Sequence, residues 1–283
     1  MNSLPTPREL LWRYQARAKR SLGQHFLLDE QSIRRIAELA QLSRCEDRSA
    51  LTPEAPKVLE IGPGCGALTQ ALLGYTCTLL AVEKDDDAVS FLSEVFGNVP
   101  GFELEHGDFL RYQWPEQLDA LTVVGNLPYN IGTEIWFRLL AERHRIRRMV
   151  LMFQREVAHR FVAERSTKAY GILSVIAQQY FDVSYAMSVE PGAFRPVPEV
   201  TSAVLLFVPR NEPQTVDEAA FRALVRASFA QRRKTLANSL SGYRGRTKVE
   251  LEALLQRLGH DTRIRAENLT PADFVALCAA LED

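Results

Sequence analysis

Residues 121–132 read "LTVVGNLPYNIG": an apolar run stops at Gly125, and an amide (Asn126), a Leu127-Pro128 step and Tyr129 follow at once. The Asn126 side-chain oxygen and a backbone carbonyl from Leu127 or Pro128 are hydrogen-bond acceptors. Pro128 restricts Leu127 to extended backbone, which keeps that carbonyl aimed. Tyr129 supplies a flat face on which a ring can stack. Together these groups suit a planar molecule with an exocyclic amino group. Accepting hydrogen bonds from both of its N–H groups localises the nitrogen lone pair and makes a poor nucleophile a better one. The same residues also suit a plain proline turn with a buried tyrosine, and this motif alone does not separate the two.

A second motif does. "EIGPGCGALT" places Gly62, Gly64 and Gly66 between a strand and a helix, where glycine lets the backbone approach a ligand. Glu83 ends the next apolar run about 20 residues later, the place for a carboxylate on ribose hydroxyls. NAD, FAD and S-adenosylmethionine domains share this logic. Here the spacing is G-x-G-x-G with Pro63 inside it, which serves a pyrophosphate less well than G-x-G-x-x-G. Asp108 and Phe109 end a third run ("HGDF"), where the carboxylate can take an adenine amino group while the ring packs on apolar surface. The alternative for Asp108 is a strand-end cap. With the glycine loop, Glu83 and Asn126–Tyr129 taken together, methyl transfer to an amine is the reading that uses all of them.

The elements that position these residues alternate. "KVLEIG", "CTLLAVE", "FELEHGD", "LTVVGNLP" and "RRMVLMFQ" read as strands, and "ALTQALLG", "DDAVSFLSEVF", "EIWFRLLAE" and "REVAHRFVAE" as helices. That is an α/β pattern: a Rossmann-like, mostly parallel sheet covered by helices on both faces. "DVSYAMSVE" and "TSAVLLFVP" have no helix between them and predict an antiparallel pair closing the sheet, for seven strands in all. The chain divides by this reading into a basic N-terminal arm (1–20), the α/β domain (21–209) and an all-α domain (210–283). Residues 43–57 look like a flexible surface insertion.

Composition excludes several classes. No apolar run approaches the roughly 18 residues of a membrane span, and no apolar signal core follows the N-terminus, so the expected location is the cytoplasm. Cys45, Cys65, Cys77 and Cys278 form no C-x-x-C pair, so no metal site is expected, and free thiols fit a reducing compartment. Cys65 is given no nucleophilic role. The net charge is only −1, yet seven Lys or Arg and no acid lie between Arg226 and Lys248. With Arg8 to Arg20 and Arg138 to Arg148 this makes three basic blocks, as a polyanion requires.

The set "GQHFL", "EIGPGCGALT", "VEKD", "GDF", "NLPYNI", "FRPVPEVTSAV" and "RRKTLANSL", in this order, resembles the small-subunit ribosomal RNA adenine dimethyltransferase family from about residue 18 to the C-terminus. The resemblance implies a class I S-adenosylmethionine-dependent fold with a small helical C-terminal domain. It implies N6,N6-dimethylation of two adjacent adenines in the 3′-terminal hairpin of 16S rRNA, by a monomer acting on an immature small (30S) subunit. By position it implies cofactor contacts from Gln24, His25, Leu27, Gly62, Gly64, Glu83, Lys84, Asp108, Phe109 and Asn126. It implies catalytic roles for Asn126, Leu127, Pro128 and Tyr129, with Phe194 stacking on the target base opposite Tyr129. Taken alone, Phe194 reads as a core residue. Many relatives carry Asn where this chain has His25, and an imidazole can still donate a hydrogen bond. Arg232, Arg233 and Lys234 are the first candidates for RNA phosphate, with Arg147 and Arg148 second.

Three other protein classes share part of this pattern. The 23S rRNA methyltransferases of macrolide resistance share the catalytic half, but "FRPVPEVTSAV" with "RRKTLANSL" favours the small-subunit type. A non-catalytic nucleic-acid-binding relative does not need Glu83, Asp108 and Asn126–Tyr129 together. An NAD dehydrogenase has no use for Asn126-Leu127-Pro128-Tyr129.

Overall fold

The computed structural model describes residues 5–15, 25–52, 54–115, 119–211 and 217–282. The first helix, α1, spans Pro7–Gln15 and is followed by β1 (Phe26–Leu27) and α2 (Glu30–Leu39). Strands and helices then alternate: β2 (Lys57–Ile61), α3 (Ala67–Leu72), β3 (Thr78–Glu83), α4 (Asp86–Phe96) and β4 (Phe102–His106). Next come β5 (Leu121–Asn126), α5 (Gly132–Ala141), β6 (Ile146–Gln154), α6 (Arg155–Phe161) and α7 (Ile172–Tyr180). Three strands follow, β7 (Phe181–Val189), β8 (Phe194–Arg195) and β9 (Ser202–Pro209), and then helices α8 (Glu218–Phe229), α9 (Leu236–Ser239), α10 (Lys248–Arg257) and α11 (Pro271–Ala280).

Seven strands form one sheet in the order β4-β3-β2-β5-β6-β9-β7. The first five are parallel and β9 runs antiparallel to β6. The chain leaves β2 toward β3 and β4, then returns to place β5 on the other side of β2. The crevice at this switch point opens at the carboxyl ends of the strands. Glu83 is in register with His106, and Gly125 with Ile61, so the glycine loop, Glu83 and Asn126 all reach that same edge. The central strands are buried on both faces, with Val58, Leu59, Ile61, Val123, Val124, Val150 and Leu151 at 2% exposure or less. That accounts for their mostly apolar sequences, with Glu60 and Thr122 as the buried polar exceptions in β2 and β5.

The chain divides into two compact units, one of residues 1–158 with 184–209, the other of 159–183 with 210–283. The sequence reading placed 159–183 in the α/β domain. In the structure this segment packs with the C-terminal helices. The Tyr170 hydroxyl donates to the Leu269 carbonyl (2.9 Å), and the Tyr180 and Phe221 rings meet edge to face. The helical unit is capped by side chains: Thr247 and Glu250 at α10, and Thr270 and Asp273 at α11, cap each other's backbone N–H groups.

Two further expectations are corrected. Part of the supposed basic arm is α1, which buries Leu10, Leu11 and Tyr14. Its Tyr14 hydroxyl donates to Asp85 (3.3 Å), and Arg13 pairs with Glu94 (3.5 Å). Residues 16–24, including Gln24, lie outside the described residues. The 43–57 segment is fastened rather than loose. The Arg48 guanidinium donates to four carbonyls, those of Pro100 (2.9 Å), Leu73 (3.0 Å), Tyr75 (2.9 Å) and Cys77 (2.9 Å). It thereby closes the ends of the loops flanking β3. Arg48→Met keeps the aliphatic stem but strands these acceptors. We expect it to destabilise the first unit by about 2–4 kcal/mol, seen as a lower calorimetric melting temperature. Melting within a degree of wild type would show that water replaces the guanidinium at no cost.

Candidate active site

The glycine loop is shaped by backbone that only glycine takes easily. Gly62, Gly64 and Gly66 have φ of +65°, +57° and +82°. At Gly66 a side chain is also sterically excluded, because a Cβ would lie 2.6 Å from the Phe96 ring. Glu83 holds the loop. Its Oε2 accepts from the Gly64 N–H (3.0 Å), and its Oε1 accepts from the N–H groups of Lys84 (2.7 Å) and Asp85 (2.9 Å). Oε1 is therefore saturated, and Oε2 keeps acceptor capacity for a ligand. Asp108 caps the turn 109–111 through Leu110 N–H (3.0 Å) and pairs with Lys84 (2.8 Å). The Lys84 hydrogen bond leads the causes that hold its carboxyl below the ordinary value, so it is an acceptor at neutral pH. Of the two sequence readings of Asp108, the hydrogen bond to Leu110 shows the cap. Phe109 is buried and stacks on Tyr112 (5.9 Å).

A cavity of about 360 Å³ lies over the loop, within the range of small-molecule sites. It is lined by His25, Leu27, Gly62, Gly64, Glu83, Asn126, Leu127, Pro128 and Tyr129 from the expected set. Lys84, Asp108 and Phe109 are not on its wall. The sequence reading missed Phe26, Ala67 and Leu68, which complete the apolar side of it.

Around Asn126 the hydrogen bonds fix an orientation. Asn126 Nδ2 donates to the His25 carbonyl (3.2 Å), which leaves Oδ1 as an acceptor for a ligand. The Pro128 carbonyl accepts from Ile131 (3.2 Å) and Gly132 (2.9 Å) at the start of α5 and is already in use. Leu127 is thus the residue whose carbonyl can face an amine. Tyr129 is locked by a 2.6 Å hydrogen bond between its hydroxyl and Ser202, a buried residue that the sequence reading passed over within "TSAV". Burial raises the Tyr129 pKa, so the residue works as a neutral ring and not as a base. Burial likewise pushes the Cys65 thiol up to about 12, consistent with no nucleophilic role.

Phe194 is not on the wall of this cavity. It is fully buried in the apolar core, paired with Leu27 across the two-stranded ribbon of β1 and β8. The ring that faces Tyr129 is His25, stacked at 5.7 Å with a 27° tilt and held by a 2.8 Å hydrogen bond between its Nδ1 and the Pro196 carbonyl. With a carbonyl as partner, Nδ1 carries the proton.

This arrangement can be matched to known proteins. Residues 15–283 match the family model for ribosomal RNA adenine dimethylase. The chain belongs to that family. It is 41% identical over 273 residues to the ribosomal RNA small subunit methyltransferase A of Geobacter metallireducens, covering 94% of this chain and 96% of that one. The Myxococcus xanthus protein of the same name is 37% identical over 98% of this chain and 96% of its own. Among solved structures, a dimethyladenosine transferase from Plasmodium falciparum superposes with a TM-score of 0.75 at 23% identity, covering 89% of this chain and 95% of that one. The 23S rRNA methyltransferase ErmE superposes with a TM-score of 0.68 at 26% identity, covering 91% and 99%. The family and the fold make the protein an S-adenosylmethionine-dependent methyltransferase. The cavity fits that cofactor: the loop lets backbone approach a ligand at Gly62 and Gly64, and the buried Glu83 retains an acceptor beside it.

The family's substrate is a polyanion, and the structure sorts the candidate cations. Arg232 is exposed, and its Nη2 donates to the carbonyls of Lys168 (2.8 Å) and Tyr170 (2.9 Å), which anchors it on the helical unit. Arg148 is half-buried, donates to the Leu39 carbonyl (3.0 Å), and has its pKa lowered by burial. Within the second basic block Arg138 and Arg145 pair with Glu142. Arg147, Arg233 and Lys234 are exposed and have no ion-pair partner among the described residues.

Proposed function

We propose that this chain transfers methyl groups from S-adenosylmethionine to N6 of two adjacent adenines in the 3′-terminal hairpin of 16S rRNA, dimethylating each. It acts as a cytoplasmic monomer on an immature small subunit. One observation carries the chemistry: Asn126 is held by His25 so that its oxygen, with the Leu127 carbonyl, can accept from one amino group at the mouth of the glycine-loop cavity. When bound, S-adenosylmethionine supplies an electrophilic methyl group on a cationic sulfur. The protein's part is to aim the nitrogen. Asn126 Oδ1 and Leu127 O take the two N–H groups and raise the lone pair toward the methyl. Tyr129, braced by Ser202, holds the ring. No side chain has to remove the proton first, since the nitrogen sheds it to water after transfer. Pro128, whose carbonyl accepts from Ile131 and Gly132 at the start of α5, keeps the turn rigid, which is the positional requirement of an in-line displacement.

The small-subunit assignment rests on the relatives' names and on the C-terminal motifs. Labelled methyl donor offered with small subunits, large subunits or naked rRNA is expected to mark two adjacent adenines in small subunits. Label confined to 23S rRNA would favour the macrolide-resistance type instead, and no transfer at all would favour a binding protein.

Arg233 and Lys234 are the cations of the C-terminal unit that we assign to phosphate. Reversing both to Glu is expected to weaken small-subunit binding at least tenfold at moderate salt. The slope of log affinity against log salt should fall by about two while cofactor affinity is unchanged. Equal affinity at low and moderate salt would remove these residues from the interface.

A further inference from the structure

We propose that a second cleft, lined by residues of and next to the β1–β8 ribbon, is a nucleotide site for the RNA residue next to the target adenosine; this rests on the function proposed above. The cleft is about 660 Å³ and open, and its polar lining includes Arg8, Asp29, Ser32, Glu190 and Arg195. None of these residues is used by the active site. The two cavities are lined by consecutive residues of one segment. Phe26 and Leu27 of β1 line the cofactor cavity, and the next two residues, Leu28 and Asp29, line the cleft. Arg195, paired with Phe26 across the ribbon, is in the cleft, and the following residue, Pro196, anchors His25 beside Tyr129. A strand advances about 3.3 Å per residue, so along the chain the cleft lining begins one residue after the cofactor-cavity lining ends.

The donor set suits a nucleotide. Arg8 is exposed and has no ion-pair partner among the described residues. Arg195 donates from Nη1 to the carbonyls of Phe194 (2.8 Å) and Gly192 (3.3 Å), which fixes the guanidinium and leaves Nε and Nη2 for an anion. An arginine held by its own loop is a preorganised phosphate donor. The carboxylates are partly engaged: Asp29 caps α2 through Ser32 N–H (2.8 Å), and Glu190 accepts from the Thr201 hydroxyl (3.3 Å). Two arginines with two carboxylates do not suit a bare phosphate, whose charge the acids would repel. They suit a nucleotide, with the guanidiniums on phosphate and the carboxylates accepting from ribose hydroxyls or base amino groups.

Trp12 extends this surface. It lies one turn after Arg8 on the same face of α1 and is 73% exposed, although it is the largest apolar side chain type in the protein. Solvated indoles are uncommon without a partner, and single-stranded RNA stacks on them. The geometry therefore lays out a track in which one base sits on Tyr129, its neighbour in the cleft and a further base on Trp12. A substrate with two adjacent targets has a use for such a track, because the cleft holds one adenosine while the other reacts.

The test uses the full chain and small ribosomal subunits. Arg8→Glu with Arg195→Glu is expected to lower subunit affinity at least tenfold at moderate salt and to reduce the salt slope by about two. Trp12→Ala is expected to lower it about 5- to 100-fold with little change in slope. S-adenosylmethionine affinity should stay within twofold in every variant, and Arg8→Lys should recover most of the loss at position 8. If the double reversal misfolds, Arg8→Gln and Arg195→Gln singly are expected to lower the slope by about one each. Wild-type transfer together with unchanged affinity and slope in the folded variants overturns the cleft and leaves the proposed function standing. Failure of the wild-type chain to bind or methylate small subunits overturns the proposed function, and the cleft with it.

Discussion

Asn126→Ala is expected to slow single-turnover methyl transfer by about 10²- to 10³-fold while S-adenosylmethionine binds within a few-fold of wild type. The magnitude is that of removing one oriented hydrogen-bond partner from a reacting group. The orientation is the point of the test. Asn126 Nδ2 donates to the His25 carbonyl, so the side chain cannot rotate to offer its NH2 to the substrate. Asn126→Asp keeps an acceptor but presents a carboxylate oxygen to that carbonyl, and the repulsion should turn the side chain away. We therefore expect Asp to recover little of the rate lost in Ala. If Asn126 were only a turn residue, both variants would lower stability and leave the rate per folded molecule unchanged. Turnover of Asn126→Ala within threefold of wild type would end the catalytic assignment.

The parts of the site that lay in contiguous motifs were legible in the sequence, because backbone chemistry there is local. The left-handed glycines, the Leu127-Pro128 step and the acid at the end of β3 each follow from what one short segment can do. The seven-stranded sheet was legible for a related reason: strands buried on both faces carry mostly apolar runs, and Gly or Pro marks their ends. What failed needed long-range partners. Arg148 and Arg232 count as free cations in a sequence, but each anchors one guanidinium nitrogen on carbonyls 109 and 62 or 64 residues away. Arg48 read as part of a loose insertion because its acceptors sit 25 to 52 residues downstream. Phe194, which taken alone reads as a core residue, is fully buried. The ribbon of β1 and β8 is two residues per strand, too short for any periodicity. Residues 159–183 joined the helical unit for want of a boundary signal in composition, since a strand-helix alternation runs through them.

Glu60 is a carboxyl group inside a central strand, and its replacement by Gln is expected to raise stability at neutral pH. Glu60 is 1% exposed, directly under the glycine loop, and its Oε2 accepts from the Thr69 hydroxyl at 2.7 Å. Burial is the dominant cause that pushes its pKa up to about 8; the Thr69 hydroxyl opposes the shift and the nearby Glu83 carboxylate adds to it. The sign follows from proton counts. Between the ordinary carboxyl value near 4.5 and about 8, the folded chain holds a proton at Glu60 that the unfolded chain has released. Stability contributed by this group therefore falls as pH rises through that window, and is lowest above it. Glu60→Gln keeps the shape and an oxygen for Thr69 while removing the ionisation. It should remove the downward slope between about pH 5 and 8, with a gain on the order of a few kcal/mol at the upper end. Thr69→Val should act the opposite way, since it leaves the carboxyl with no hydroxyl donor. The measurement is the unfolding midpoint in urea across that pH range for wild type and both variants. A wild-type profile that is flat or rising there, or one that Glu60→Gln leaves unchanged, would mean that water reaches the carboxylate beneath the loop. Gln at this position should also bind cofactor at pH 6 as wild type does, because wild type is then protonated and already neutral at Glu60.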